Sequence, residues 1–81
     1  MRRFFFDLVD DAEVTPDPDG VEFTDMEAAL AEAVQGAREL VAHGIMQNRD
    51  VSGQSFAIRD EQGKTVATVR FRETLPGTLR D

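Results

Sequence analysis

His43 is the only histidine of the 81 residues, and the chain has neither Cys nor Tyr. A histidine general base needs a nucleophile against it and an acid to orient its ring. Ser52 and Ser55 are the candidate hydroxyls, but they sit in a polar loop without the glycine framework of a nucleophile elbow. His43 is better read as a helix-end residue, near carbonyls at the negative end of the dipole. Asp17-Pro18-Asp19-Gly20 approaches the middle of a calcium loop, where alternate acids precede a glycine. In that register Met26 falls at the last ligand position, which requires a bidentate Glu, and Glu27 is out by one. Paired carboxylates for acid–base work occur throughout this segment, so no single pair stands out. No phosphate-cradling glycine pattern is present. These residues predict a non-enzymatic protein with no cofactor and no metal.

Residues of one side of a strand pair remain. Phe5, Val9, Arg59, Arg70 and Arg72 are expected on one face of a small sheet by two-residue alternation, together with Arg3 and Asp7. Arginine beside an exposed aromatic can anchor a protein interface or stack on single-stranded bases. It can also form a solvated face, its arginines paired to Asp7 and Glu73.

The elements that must position this face follow from periodicity. Arg3 to Val9 reads as a strand, with Phe4, Phe6 and Leu8 on one side. Asp10 to Gly20 carries Pro16, Pro18 and Gly20 and reads as a loop. Val21-Glu22-Phe23 is a short second strand, antiparallel to the first. Thr24 and Glu27 have the spacing of a capping box and open a helix from about Asp25 to His43. Its apolar stripe is Met26, Leu30, Ala33, Ala37, Leu40 and Val41, flanked by Ala29 and Val34. Gly36 at the stripe's edge costs helix stability unless a strand packs closely there. Gly44 is a left-handed stop with Ile45 folding back, or the helix runs on to Gln47. Ser55 to Asp60 and Lys64 to Arg72 form a hairpin through Asp60-Glu61-Gln62-Gly63, with Gly63 where positive φ is wanted.

The resulting class is α+β: three to four antiparallel strands with one helix on one face, in the order β-(β)-α-β-β. The inner layer comprises Phe4, Phe6, Leu8, Phe23, Phe56, Ile58, Val69 and Phe71. Residues 1–74 make a single domain and 75–81 a flexible tail. A domain of this size has one modest core. Zero cysteines exclude disulfides and thiolate metal sites. Arg2-Arg3 before three phenylalanines imitates a signal peptide, but Asp7, Asp10 and Asp11 interrupt the apolar run. No segment approaches a membrane span, so a cytoplasmic protein is expected.

Charge is unevenly placed. Residues 1–32 carry ten acids against Arg2 and Arg3, whereas residues 33–81 carry six acids against seven bases. An acidic half disfavours nucleic acid, whose phosphates attract Lys and Arg, and permits a basic protein partner.

Phe4-Phe5-Phe6-Asp7, Asp17 to Glu22, the Ala-rich helix and Asp60 to Gly63 before a Val/Phe strand together resemble a known family. It is a family of very small bacterial proteins, a domain of unknown function catalogued under the number 6894, and the resemblance spans residues 3 to about 72. It implies the fold above and carries no activity that could be placed on particular residues. A weaker similarity, through Thr24, Glu27, Ala28, Ala29 and Leu30, is to HicB-type antitoxins, without the C-terminal DNA-binding segment many of them carry. The function expected is a protein-interaction or regulatory module, self-associating through the sheet face or a sheet edge. The alternatives are an antitoxin-like inhibitor of a small basic partner and, behind it, a sheet-face RNA binder.

Overall fold

Alternating apolar residues and two turn signals produce a sheet built around the first strand. The computed structural model describes residues 1–77. The strands are β1 (Arg2–Asp10), β2 (Glu13–Thr15), β3 (Val21–Phe23), β4 (Ser55–Arg59) and β5 (Thr65–Arg70). The helix α1 (Met26–Met46) joins β3 to β4, and a 3-10 turn (Phe71–Thr74) follows β5. All pairings are antiparallel, in the order β2-β1-β4-β5, with β3 also on β1. The α+β class and the helix–sheet arrangement are therefore as read from sequence.

The segment expected to be a loop from Asp10 to Gly20 contains β2. Asp10 faces Glu13, so Asp11 and Ala12 make a two-residue hairpin turn, with Asp11 at φ 53°. Aspartate tolerates this left-handed conformation better than most residues. β2 and β3 are two halves of one returning strand. Thr15 faces Leu8 and Val21 faces Phe4, so residues 16–20 bulge outward against the shorter span 5–7. The prolines at 16 and 18 cannot donate to a ladder and account for the interruption. Gly20 sits inside the bulge at φ 68°, where a Cβ would lie 2.8 Å from the Phe4 carbonyl oxygen.

The capping box does not form. Asp25, not Thr24, is the N-cap: its carboxylate accepts from the Ala28 amide at 2.8 Å. Asp offers the same acceptor plus a negative charge at the positive helix end, so it displaces Thr24. At the other end α1 passes His43 and Gly44 and reaches Met46. The stop is a Schellman motif one turn later than Gly44. Asn48 takes φ 59°, its amide donates to the Ile45 carbonyl at 3.0 Å, and the Arg49 amide donates to the Gly44 carbonyl at 2.7 Å. His43 is exposed within the last turn rather than at its end.

α1 lays small residues on the sheet. Ala29, Ala33, Ala37, Val41 and Gly44 are buried, together with Phe4, Ile58, Val69 and Phe71. Phe6, Leu8, Phe23 and Phe56 pack around them. The aromatic rings fill the layer, and Phe56 meets Phe71 edge-on at 4.9 Å. Leu30 and Leu40, expected in the stripe, lie at its margins with 38% and 40% of their surface exposed. β5 ends at Arg70, so Phe71 is buried from the 3-10 turn rather than from a strand. The tail expected from residue 75 begins with Leu75 packed against the core, and residues 78–81 lie outside the described residues.

The two helix glycines serve different ends. A Cβ on Gly36 would sit 3.7 Å from Phe56, an ordinary contact, whereas one on Gly44 would meet the Arg49 carbonyl oxygen at 2.9 Å. Gly36→Ala is expected to stabilise by about 1 kcal/mol through helix propensity, raising Tm by roughly 4–8 °C. Gly44→Ala is expected to destabilise by about 1–3 kcal/mol despite the same propensity gain, because the folded-back loop must move. Thermal unfolding of both variants checks the pair.

Candidate functional site

On the sheet side away from α1, strand register decides which candidate residues meet. Phe5 faces Arg59, Asp7 faces Ala57, Val9 faces Ser55, and Ser55 faces Arg70. Phe5, Val9, Arg59 and Arg70 therefore share this side, as expected. Arg72 does not follow by alternation, because the chain has already turned into the 3-10 segment. Its charge acts instead near Asp50, a carboxyl held below its usual range first by the Ser52 hydroxyl and amide.

This side is not a bare apolar surface. Asp7 is buried and accepts from Arg59 through two bonds, Nε to Oδ2 at 2.5 Å and Nη2 to Oδ1 at 3.1 Å. The Asp17 amide donates to Asp7 Oδ1 at 3.0 Å. The Asp17 carboxylate in turn accepts from the Phe6 amide at 3.1 Å and the Gly20 amide at 3.2 Å. Asp17 thus occupies the place of the missing strand partner where the edge of β1 is interrupted. The Arg59 guanidinium lies 5.1 Å from the Phe5 ring centroid, and the ring also packs on Gly20. Phe5 is left half-buried. The hydrogen bond from Arg59 holds Asp7 below the usual carboxylate range, aided by the Asp17 amide and opposed by burial. The same bond raises Arg59. A bidentate pair of this kind is a structural clamp with little charge left over for a ligand.

The exposed chemistry lies elsewhere. Among the described residues β5 pairs only with β4, so its outer edge presents unpaired backbone groups. Val66 and Thr68 are exposed along it. Beside this edge a cleft of about 270 Å³ runs between β5 and α1, lined among others by Leu30, Val34, Thr68 and Arg70. The Arg38 Nε closes one end by donating to the Thr74 carbonyl at 2.8 Å. Leu30, Val34 and Arg38 also line the adjoining outer surface of the helix. Reading Leu30 as a core residue hides this surface, onto which Val34 also opens while packing partly against the core. The available signal is that α1 carries more apolar width than one row of alanines needs. Among the described residues, no group of three or more His, Asp or Glu could hold a metal ion, and no helix is long and apolar enough to cross a membrane.

An α+β domain with one helix on one side of an antiparallel sheet is the class these observations define. The model of the family described as "Domain of unknown function (DUF6894)" matches residues 3–72, and the chain belongs to that family. Neither a curated protein nor a solved structure matches it.

Removing the clamp has a defined cost. Asp7→Asn is expected to destabilise by about 2 kcal/mol at neutral pH, the range for a buried hydrogen bond to a charged group. Pairing depresses the folded-state pKa of Asp7 below the ordinary 3.8. Its contribution is therefore full above that value and is lost as pH falls through the folded one. The gap between wild type and Asp7→Asn should narrow in urea titrations below about pH 4.

Proposed function

We propose that the protein is a small non-enzymatic interaction module that self-associates, using the β5 edge and the outer surface of α1. The observation that supports this reading is the edge itself. Thr65–Arg70 is a six-residue strand, rich in Thr and Val, with one side unpaired among the described residues. It has no proline, and Lys64 and Arg70 lie at its two ends rather than within it. Such edges pair with another chain unless they are blunted. The helix continues past the edge with Leu30 and Val34, so an added element would find an apolar surface above it. The sheet side away from the helix supports association less well, because Arg59 and residues 16–20 already cover much of Phe5. A cytoplasmic setting agrees with the absence of cysteine.

Sedimentation equilibrium tests the reading. Wild type at high micromolar concentration is expected to sediment at twice its 9.0 kDa mass, and Val66→Lys, which places a charge on the edge, is expected to weaken association. A monomer throughout that range contradicts the proposal.

A further inference from the structure

The outer stripe of α1 has a property that a surface meant for an unrelated partner does not need. Glu27, Leu30, Ala31, Val34, Gln35 and Arg38 line one continuous surface of the helix. Their spacing is that of a helix–helix seam, with an acid at the N-terminal end, apolar residues in the middle and a base at the C-terminal end. Laid antiparallel on a copy of itself, the stripe matches. About a two-fold axis passing between residues 32 and 33, Glu27 faces Arg38, Ala31 faces Val34 and Leu30 faces Gln35 of the second helix. Each charged contact occurs twice by symmetry. Ala31 is exposed and small, which permits close approach at the centre. Among the described residues neither Glu27 nor Arg38 has an ion-pair partner in its own chain.

We infer that the occupant of this surface is a second copy of the chain, seated with the two α1 helices antiparallel and Glu27 of each opposite Arg38 of the other. The inference rests on the self-association proposed above and names its geometry. An acidic or basic partner would be expected to meet a stripe of one sign, whereas this one carries both signs at opposite ends.

Charge reversal in crossed pairs tests it. Glu27→Arg alone sets two positive charges against each other at both symmetric contacts, and Arg38→Glu alone sets two negative charges there. Each variant is expected to dimerise at least about tenfold more weakly than wild type at low salt, where such pairs are least screened. In a dimer of one variant with the other both contacts are again attractive: the two substituted positions meet with opposite signs, and so do the two unsubstituted ones. Native mass spectrometry of the mixture is therefore expected to show mainly the mixed dimer. Arg38→Glu also removes the bond to the Thr74 carbonyl, so circular dichroism verifies its fold. Should it fail to fold, Glu27→Arg and Ala31→Asp decide, and both are expected to yield monomers. A wild-type dimer that Glu27→Arg and Ala31→Asp leave intact overturns this geometry while sparing self-association. A wild-type monomer overturns both.

Discussion

The structure depends on a volume match: one row of alanines on the helix faces a layer of phenylalanine rings from the sheet and the 3-10 turn that follows it. Phe4 and Phe71 are among the largest fully buried side chains, and Ala29, Ala33 and Ala37 have no exposed surface. With the rings filling the layer, only small residues let the helix axis come near enough to exclude water. Turning the leucines inward would overfill the same space, a change that typically costs about 1–3 kcal/mol per site. The larger Leu30 is displaced to the helix flank as a consequence, and Val34 packs only partly against the core. What the core cannot hold becomes the surface.

A second constraint operates on the opposite side. A returning strand interrupted by two prolines would leave the Phe6 amide unpaired at the edge of β1, and the Asp17 carboxylate takes it. Asp17 is in turn held by its own amide on Asp7, and Asp7 by Arg59. The acids that crowd the N-terminal half are therefore not uniform in role. Two of them replace a missing ladder, while others such as Asp11 and Glu13 are exposed. These bonds order the segment that resembles part of a calcium loop.

Much of the fold is legible in the residues, and the misreadings share a cause. Strand alternation places Phe4, Ile58 and Val69 inward correctly because a two-residue period leaves no choice of side. Gly63 marks the second hairpin because its φ of 83° excludes most other residues. The helix stripe reads too wide because Leu30 and Leu40 satisfy the 3.6-residue period as well as Ala29 does. Periodicity reports direction, not the volume waiting opposite. β2 escapes notice because two prolines and a glycine suggest a loop, and only the pairing with Leu8 to Asp10 shows a strand there. The face of Phe5, Val9, Arg59 and Arg70 is assembled correctly by register, but no spacing rule could reveal that Asp7 claims Arg59.

The central claim is that the surface released by the alanine row, not the sheet side bearing Phe5, meets the second copy. An amide NMR dilution series from millimolar to low micromolar protein tests this at each residue. Concentration-dependent shifts are expected to gather on residues 27–38 and on β5, with Phe5, Val9 and Arg59 unmoved. Shifts centred on those three residues, with α1 silent, would contradict it.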